Sequence, residues 1–351
     1  MTGGGYRYLF VIQSLQMGGA ERSLVNLANF FARRGERVAV LRFTAGGLLE
    51  SELDSGIPVH PVSGLAGLRA IARRYPGATL VSFLFHCNVR LAALKKAGLL
   101  RNRLIITEHS SPLRYAGATG LKSRLRRALG RLFLPAADAV FAVSPLVKQD
   151  FSTAFALPPE RVRVVPNPFD QGALKQAASH AAPTAVDQLA ARGPLICGVG
   201  RLVAEKGFDV LIRAFAGLSE PPPCTLVIVG DGPERATLEA LIEELGLAGR
   251  VHLAGFDTNP YRYMARAELL VVPSRQEGFG NVIIEAAMLG VPVIATDCIG
   301  PRYIYGDQTD LVPPDDALAL TRAIQRALTG APPAAPDYQA FLIDRIAAEY
   351  E

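Results

Sequence analysis

The stretch from Arg275 to Pro292, RQEGFGNVIIEAAMLGVP, decides the fold of this chain. Its pattern predicts a loop with a Gly-Phe-Gly turn, followed by a helix that ends at Gly-Val-Pro. An apolar run of strand length, Ala267 to Pro273, precedes it, and another begins at Val293. The pattern therefore predicts a loop that joins the end of a parallel strand to a helix N-terminus. Open α/β sheets bind ligands at such loops, and the helix-end amides favour an anion such as a diphosphate.

Two carboxylates in this stretch are candidates for a binding site. Glutamates on helices and loops most often face solvent. Glu285, however, lies among Ile283, Ile284 and Ala286, where an unpaired carboxylate would be costly. Hydroxyls or a cation would satisfy it, and the diol of a ribose does so well. Glu277 precedes the Gly-Phe-Gly turn, in which the backbone is free to approach a ligand.

With these residues, the segment resembles the E-x7-E signature of retaining glycosyltransferases of the GT-B fold, in particular the large family 4, also called group 1. The resemblance implies an α/β protein of two Rossmann-like domains that face each other across a central cleft. It implies that Glu285 binds the ribose hydroxyls of a nucleotide-sugar and that Glu277 meets the transferred sugar. The resemblance implies that the backbone amides of the turn meet the sugar together with Glu277. These are the amides of Gly278, Phe279, Gly280 and Asn281.

Composition and charge narrow the class of protein. The chain has 351 residues, of which 50% are apolar, and this is typical of a packed protein of two ordinary domains. Its net charge is only +5, and the aromatic and basic interleaving of RNA binders is missing, so nucleic acid is not an expected partner. The 4 cysteines are scattered and fit buried thiols in a reducing cytosol. Without a signal-peptide pattern or an apolar run long enough to span a bilayer, we expect a cytoplasmic protein.

The first half of the chain places polar groups after predicted strands. Family members often carry a Gly-Gly-Ala-Glu-Arg run after the first strand, and Gly18 and Gly19 begin that run here. The resemblance implies that their amides approach the diphosphate or the acceptor. A lone histidine is more often structural, but His109 follows the predicted strand Leu104 to Thr107. By order and context it matches the histidine that family 4 enzymes place against the donor sugar.

Candidate acceptor contacts lie close to these strand ends. The run Thr79 to Phe85 has the pattern of a strand, and His86 and Asn88 follow it. Glu108 stands directly before His109. Polar groups at the carboxyl ends of successive parallel strands are what a site at a sheet edge requires.

Leu121 to Phe133 is the most basic part of the chain. Leucines recur there every three or four residues, and the intervals are filled by Lys122, Arg124, Arg126, Arg127 and Arg131. The pattern predicts a basic amphipathic helix. Two interpretations remain open. The helix is either an ordinary core-facing helix with a solvated side, or it adsorbs to anionic lipid headgroups at the inner face of the plasma membrane. Its arginines could also hold the phosphates of an acceptor.

The second half carries a pair of cations at a strand-to-helix turn. Arg201 and Lys206 stand between glycines, directly after a predicted strand, and are well placed to hold a diphosphate. The run matches the family's G-R-x4-K-G run, which implies that both cations neutralise the departing phosphate. The resemblance also implies nucleotide contacts at Gly200, at Gly230 and at Phe256. No D-x-D triplet occurs in the sequence, so we expect neither a metal nor another cofactor.

Composition and pattern also predict the domain organisation. An N-terminal acceptor-binding domain is expected over residues 1–170, followed by an alanine-rich and polar linker over 171–193. A nucleotide-sugar-binding domain is expected over 194–335. In the family, a terminal helix such as 336–351 packs back on the first domain.

The resemblance implies a retaining, metal-independent hexosyltransferase. It would move a hexose or N-acetylhexosamine from a nucleoside-diphosphate sugar, with a UDP-sugar as the first choice. The acceptor would be a hydroxyl of a glycan or lipid-linked glycan in surface polysaccharide, lipopolysaccharide or glycoprotein glycan assembly. The expected catalytic residues are Arg201, Lys206, Glu277 and His109. Two alternatives remain open: a nucleotide-sugar epimerase on the same fold, and a non-catalytic sugar-nucleotide-binding partner subunit.

Overall fold

The computed structural model describes residues 5–16, 18–113, 120–218, 224–306 and 311–351. The chain folds into two compact units. Unit 1 contains the chain up to Phe169 together with Phe341–Glu351, and unit 2 contains Asp170–Ala340. Each unit is built on a parallel sheet with helices in the connections, so the α/β class predicted from the sequence is confirmed.

Unit 1 alternates strands and helices along the chain. Its strands are β1 (Tyr8–Ile12), β2 (Val38–Arg42), β3 (Val59–Pro61), β4 (Thr79–Phe83), β5 (Leu104–Glu108), β6 (Ala139–Ala142) and β7 (Val162–Val164). Its helices up to Phe169 are α1 (Gly19–Arg33), α2 (Gly64–Arg74), α3 (Phe85–Lys96), α4 (Leu121–Phe133) and α5 (Pro145–Phe155). The strand order is β3-β2-β1-β4-β5-β6-β7, with parallel pairing. The central strands β1, β4 and β5 are buried along their whole length, as expected where helices cover both faces of a sheet.

Aromatic side chains fill the centre of the unit 1 core. The helix α1 buries Leu24, Leu27 and Phe31 at helical spacing, which turns one face of the helix towards the sheet. Phe31 stacks on Tyr8 of β1 with ring centroids 4.4 Å apart, and Phe10 lies beside both rings. This core fixes the position of the loop that runs from β1 into α1.

Unit 2 repeats the same design with a smaller sheet. Its strands are β8 (Leu195–Val199), β9 (Thr225–Val229), β10 (Val251–Gly255), β11 (Leu269–Val272) and β12 (Val293–Ala295). Its helices are α6 (Gln171–Ala178), α7 (Thr184–Ala190), α8 (Phe208–Ala216), α9 (Arg235–Glu244), α10 (Tyr261–Met264), α11 (Asn281–Met288), α12 (Ile299–Tyr305) and α13 (Ala317–Leu328). The strand order is β10-β9-β8-β11-β12, with parallel pairing.

The residues predicted to form a linker are folded. Residues 171–193 contain the helices α6 and α7, and they belong to unit 2. The Asp170 side chain caps α6 by accepting a hydrogen bond from Ala173 N (2.9 Å), and α6 buries Leu174 and Ala178. The alanine-rich composition that suggested a linker is instead that of two short helices with one buried side each.

The C-terminal segment is part of unit 1. Its short helix α14 (Ile343–Ala347) buries Ile343 and Ile346. Phe169 N donates to Phe341 O (3.0 Å), and Ile343 N donates to Phe169 O (2.9 Å). The two places where the chain passes between the units are therefore hydrogen-bonded to each other within unit 1.

In each sheet there is one pair of neighbouring strands at which the order of the strands along the chain reverses. In unit 1 this is the pair β1 and β4, and in unit 2 it is the pair β8 and β11. Ligands of such sheets bind outside the carboxyl ends of these two strands, because the following loops diverge and leave a crevice. The loops after β1, β8 and β11 carry Gly18, Lys206 and Glu277, all predicted from the sequence to be functional.

Candidate active site

The backbone ties together the loops that follow β8, β9 and β10. Gly200 N donates to Val229 O (3.0 Å), and Gly230 N donates to Gly255 O (2.8 Å). Gly230 has a φ of 147°, and a Cβ atom there would lie 1.9 Å from Gly200 O, so no other residue fits. Gly200 and Gly230, predicted as donor contacts, therefore also hold these loops in close contact.

Lys206 and Glu277 meet at the point where winding reverses in unit 2. Lys206 Nζ lies 2.6 Å from Glu277 Oε2, and both side chains are partly exposed. The loops are packed tightly here, since Gly207 has a φ of 66° and a Cβ atom on it would lie 2.1 Å from Pro273 O. The residues predicted to neutralise the phosphate and to meet the sugar are thus held together at one edge of the sheet.

Arg275 holds this pair of loops in place, and the sequence did not reveal that role. Its guanidinium donates to both carboxylate oxygens of Asp209 (2.8 and 2.7 Å), to Asp315 (2.5 Å) and to the carbonyl of Ala204 (2.6 Å). Its backbone N donates to Glu205 O (2.8 Å). The hydrogen bonds that Arg275 donates to Asp209 raise the pKa of Arg275 further. The turn that carries Lys206 is therefore fixed to the loop that carries Glu277.

The Gly-Phe-Gly turn leads directly into α11. The ring of Phe279 is only 4% exposed and lies edge-on to Tyr303, with centroids 6.1 Å apart. Gly300 N donates to Glu277 O (3.0 Å) and supports the turn from below. The predicted contact of Phe279 with the donor is through its amide. Its ring takes no part in that contact, because it fills the space between the turn and α12. Gly278, Gly280 and Asn281 lie at the N-terminus of α11, as predicted.

Glu285 is buried in the middle of α11. It is 5% exposed, and Tyr261 Oη donates a hydrogen bond to Glu285 Oε1 (3.1 Å). The expectation that a hydroxyl satisfies this carboxylate is thus met in part by a side chain of unit 2. Tyr261 is a site residue that the sequence did not reveal, because it stands 24 residues away on α10.

Arg201 and Phe256 are exposed at the same edge of the unit 2 sheet. Within the described part of the chain, the Arg201 guanidinium makes no ion pair, so its charge faces solvent. Phe256 directly follows β10, and 45% of its surface is exposed. An exposed phenylalanine at a strand end is suited to stacking on a flat ring.

In unit 1, Gly18 and Gly19 lie at the start of α1, directly after β1. Both are exposed, and Arg22 N donates to Gly18 O (3.0 Å) in the first turn. The start of this helix lies at the carboxyl edge of the sheet, where the resemblance implies an anion.

His109 directly follows β5 and is held from two sides. Its Nε2 atom lies 3.1 Å from Thr107 Oγ1, and its ring stacks on Phe83 with centroids 5.5 Å apart. Burial lowers the pKa of His109 to about 4, and a side-chain interaction with Asn167 acts in the opposite direction. The imidazole is therefore neutral at pH 7, so it would act on a substrate as a hydrogen-bonding group rather than as a charge.

Two of the predicted acceptor contacts are buried. Asn88 is 0% exposed, and its Nδ2 donates to Thr107 O (2.9 Å), so it supports β5 instead of facing an acceptor. Glu108 is 1% exposed and accepts a hydrogen bond from Ser110 Oγ (3.0 Å). Burial raises the pKa of Glu108 to about 7.

The burial of Asn88, which was predicted to contact an acceptor, has a local cause. β4 ends at Phe83, because Leu84 adopts a φ of 71°, and α3 begins at once. The side chain of Asn88 consequently turns towards the sheet. His86, at the start of α3, is exposed and stays a predicted acceptor contact. Partial burial and the nearby Arg126 and Arg90 lower the pKa of His86.

The basic helix α4 exposes two leucines as well as its charges. Leu125 and Leu132 are 58% and 50% exposed, and Lys122, Arg124 and Arg131 are exposed beside them. Arg126 instead lies over the ring of Phe85, 4.3 Å from its centroid, and Arg127 is half-buried. In the part of the chain that the structure describes, no helix is both long and apolar enough to cross a bilayer.

Comparisons with known proteins identify the family of this chain. Residues 17–172 match the family model described as Glycosyltransferase Family 4. Residues 185–339 match the model described as Glycosyl transferases group 1. The chain is 30% identical to the lipopolysaccharide core biosynthesis glycosyltransferase LpsE of Rhizobium meliloti over 314 residues, which is 88% of this chain and 85% of that protein.

A second relative matches over a shorter segment. It is the N-acetylgalactosamine-N,N'-diacetylbacillosaminyl-diphospho-undecaprenol 4-alpha-N-acetylgalactosaminyltransferase of Campylobacter jejuni, 34% identical over 208 residues. The match covers 59% of this chain, and this chain spans about half of that relative, 54% of its length.

Among solved structures, HepE of Anabaena in complex with UDP and glucose superimposes with a TM-score of 0.77. The two chains are 24% identical, and the likeness covers 98% of each. It shows the fold, and the GT-B fold predicted from the sequence is confirmed. The two family models and the match to LpsE show that this chain belongs to the family 4, or group 1, glycosyltransferases.

Proposed function

We propose that this glycosyltransferase moves a hexose or N-acetylhexosamine from a UDP-sugar to a hydroxyl of a lipid-linked glycan, with retention of the anomeric configuration. The observation that carries the proposal is the Lys206 and Glu277 pair, 2.6 Å apart beside the N-terminus of α11. A cation, the N-terminus of a helix and a carboxylate are combined there, and these groups suit a sugar bound to a diphosphate.

The role of each group follows from its charge and burial. Glu285, already bonded to Tyr261, accepts from a ribose hydroxyl. Lys206 and the exposed Arg201 neutralise the departing diphosphate, which is why we propose that no metal is needed. Phe256 stacks on the base. His109, neutral at pH 7, donates to or accepts from a hydroxyl of the transferred sugar.

The proposed transfer takes place on one face of the sugar. The bond from C1 to the diphosphate oxygen breaks as the acceptor oxygen bonds to C1 on the same face. The acceptor's proton passes to the departing phosphate, so that no protein base is required.

The lipid-linked acceptor is proposed from two observations. The outer face of α4 presents leucines between cations, which is a surface suited to an anionic membrane. The name of the Campylobacter relative specifies a diphospho-undecaprenol acceptor for that protein. A cationic helix could hold either the lipid headgroups or the diphosphate of such an acceptor.

A donor screen tests the proposal. Nucleoside-diphosphate sugars are incubated with the protein, with and without a membrane lipid extract, and nucleotide release is measured together with the anomeric configuration of the product by NMR. Release from a UDP-sugar that requires the lipid extract, yields a retained product and persists in a chelator supports the proposal. Nucleotide release from the sugar nucleotide alone would indicate the epimerase alternative, and binding without release in every mixture would indicate the binding-subunit alternative.

A further inference from the structure

The connection between β12 and α12 contacts the backbone of the loop that carries Glu277. Thr296 and Cys298 lie in this connection, and Gly300 lies in the first turn of α12. All three residues are buried. Each of them contacts carbonyl groups of the loop, so together they bear on the path of its backbone.

Thr296 and Cys298 hold the beginning of the loop. Thr296 N donates to Val272 O (3.0 Å), while Thr296 Oγ1 lies 2.5 Å from Ser274 O and 3.3 Å from Val272 O. The single hydroxyl proton is therefore directed to the closer carbonyl, that of Ser274, because a carbonyl oxygen only accepts. Cys298 Sγ lies 2.9 Å from the same carbonyl. Ser274 is thus fixed just after β11, and its hydroxyl oxygen lies 3.5 Å from Glu277 Oε2.

Gly300 holds the loop at Glu277 itself. Gly300 N donates to Glu277 O (3.0 Å). A Cβ atom at position 300 would lie 2.9 Å from Glu277 O and closer still to Phe279 O. Both of these are backbone atoms, so no side chain fits here unless the turn moves away from α12.

The contact at Gly300 is one residue away from the ion pair. The carbonyl of Glu277 accepts from Gly300, and the carboxylate of the same residue lies 2.6 Å from Lys206 Nζ. Only 14% of the Glu277 side chain is exposed, so packing limits how far it can rotate to compensate for a displaced backbone. A shift of the backbone at Glu277 therefore moves the carboxylate away from Lys206.

We propose that Gly300 and Thr296 are positioning residues for Glu277, which fix the backbone on either side of it and thereby hold its carboxylate at Lys206. The inference rests on the proposed function, since the roles of Lys206 and Glu277 in transfer belong to that proposal. It adds two residues outside both loops that determine how the pair is held.

Gly300→Ala tests the inference through the ion pair. The added methyl group pushes the turn away from α12, so Glu277 should leave Lys206 and no longer compete with a diphosphate for the ammonium. UDP should then bind several times more tightly in calorimetric titration. At the same time kcat should fall by about tenfold to a hundredfold, as expected when a reacting group is misplaced. Loosened packing alone would not strengthen UDP binding.

A double-mutant cycle shows whether the effect passes through Glu277. In a Glu277→Gln protein, Gly300→Ala should change kcat and UDP affinity by less than about twofold, because the carboxylate that Gly300 positions is already absent. The proposal is overturned if folded Gly300→Ala keeps the wild-type kcat and UDP affinity. It is also overturned if the effects of Gly300→Ala are undiminished in the Glu277→Gln protein.

Gly217→Ala is the matched control. Gly217 directly follows α8, and a Cβ atom there would lie 3.1 Å from Thr321 Oγ1 of α13, so this glycine of unit 2 is also in a crowded place. Gly217→Ala should leave kcat and UDP affinity at wild-type values, even where it lowers stability.

Thr296→Val covers the case in which Gly300→Ala does not fold, as judged by circular dichroism. It has nearly the same shape but lacks the hydroxyl that fixes Ser274 O. It should show the same combination of lower kcat and tighter UDP binding, to a smaller extent. Thr296→Ser keeps the hydroxyl and should restore the wild-type values. Equal values of kcat and UDP affinity in Thr296→Val and Thr296→Ser would overturn the proposal.

Amide hydrogen exchange, followed by mass spectrometry, tests the geometry without a substrate. Peptides that cover residues 274–281 and 299–305 should exchange faster in Gly300→Ala than in the wild type, and at the wild-type rate in Gly217→Ala. Wild-type exchange of both peptides in Gly300→Ala would overturn the inference. Since this result needs neither UDP nor turnover, a failure of the proposed function in the donor screen is distinguishable from a failure of this inference.

Discussion

Lys206 Nζ lies 2.6 Å from Glu277 Oε2, so the cation assigned to the phosphate is paired with the carboxylate assigned to the sugar. The two groups come from loops that are 71 residues apart in sequence and adjacent at the edge of one sheet. An incoming diphosphate must compete with Glu277 for the Lys206 ammonium. Glu277 therefore both orients the cation and moderates its affinity for the product.

Lys206→Ala should lower kcat by about a hundredfold to a thousandfold, because a preorganised charge at the departing phosphate is lost. Donor affinity should fall much less. Lys175→Ala, at an exposed lysine on α6, is the matched control and should behave as the wild type. Steady-state kinetics and calorimetric titration with UDP measure the two effects.

Glu277→Gln should change the affinity for UDP in the opposite direction to Lys206→Ala. It removes the charge that competes for Lys206, so UDP should bind several times more tightly while kcat falls. Weaker UDP binding in Glu277→Gln than in the wild type would contradict the paired arrangement.

Tyr261→Phe should weaken donor binding by about tenfold, because Glu285 loses one hydrogen bond that holds its carboxylate in place for the ribose. The effect should appear in KM and in the Kd for UDP, with kcat nearly unchanged. Tyr338→Phe is the matched control, since Tyr338 Oη accepts a hydrogen bond from Gln171 and does not donate to Glu285. Equal donor affinity in Tyr261→Phe and Tyr338→Phe would remove Tyr261 from the site.

Arg275→Lys should reduce both stability and turnover. A lysine cannot donate to both oxygens of Asp209 and also reach Ala204 O, so the turn that carries Lys206 loosens. Since these groups are partly exposed, we expect a loss of about 1 to 2 kcal/mol in the free energy of unfolding and about a tenfold loss in kcat.

The control for Arg275 is another arginine with two contacts to one carboxylate. Arg302 donates to both oxygens of Asp297, but its side chain is 64% exposed. Arg302→Lys should leave the stability close to that of the wild type, because solvent screens this exposed pair. If urea denaturation shows the same loss in the free energy of unfolding for Arg275→Lys and Arg302→Lys, Arg275 does not hold the two loops together.

The sequence was sufficient for features that depend on local pattern. Apolar runs followed by glycine or polar residues marked the strand ends, so Lys206, Glu277 and His109 were all placed at carboxyl ends of strands. The pattern could not show that Lys206 and Glu277 touch, because that contact depends on β8 lying next to β11. Arg275 was overlooked for the same reason, since Asp209 and Asp315 are distant in sequence.

Other differences arise where one residue changes the direction of the chain. Leu84 has a positive φ although it is not glycine, so β4 ends early and Asn88 turns inward. The sequence contains no pattern that predicts a positive φ at this leucine. The sequence placed the amide of Phe279 at the donor and said nothing of its ring, which is buried against Tyr303 because burial stabilises a large apolar side chain. The leucine spacing of α4 left open whether its leucines face the core or a lipid surface, and Leu125 and Leu132 are exposed.

Glu108→Gln should make the stability of unit 1 less dependent on pH. Burial raises the pKa of Glu108 from 4.5 to about 7, so the folded protein retains the proton after the unfolded chain has lost it. Stability is therefore fully present below about pH 4.5 and declines as pH rises towards 7. At about pH 8 the loss should reach roughly 3 kcal/mol, and it should be absent in the variant.

Urea denaturation across this pH range measures the effect. Ser110 can still donate to the glutamine, so the local hydrogen bond is retained. Glu36→Gln, at an exposed position in unit 1, is the matched control. A constant difference in stability between Glu108→Gln and the wild type at all pH values would rule out a titrating Glu108.

Membrane binding through α4 should require both its leucines and its cations. The exposed basic residues Lys122, Arg124 and Arg131 attract anionic headgroups, worth about 1 kcal/mol each, while Leu125 and Leu132 enter the apolar boundary. Leu125→Ser with Leu132→Ser, or Arg124→Gln with Arg131→Gln, should each weaken binding to anionic vesicles by about tenfold or more. Only the binding of the leucine variant should remain sensitive to salt.

A second helix of the same protein supplies the control for this prediction. The helix α13 carries an exposed leucine, Leu318 (61%), and exposed arginines at 322 and 326. Leu318→Ser and Arg322→Gln with Arg326→Gln should bind vesicles of phosphatidylserine and phosphatidylcholine as the wild type does. Sedimentation with these vesicles measures the binding of each variant. If the α4 and α13 variants lost the same amount of vesicle binding, net charge rather than the exposed face of α4 would control adsorption.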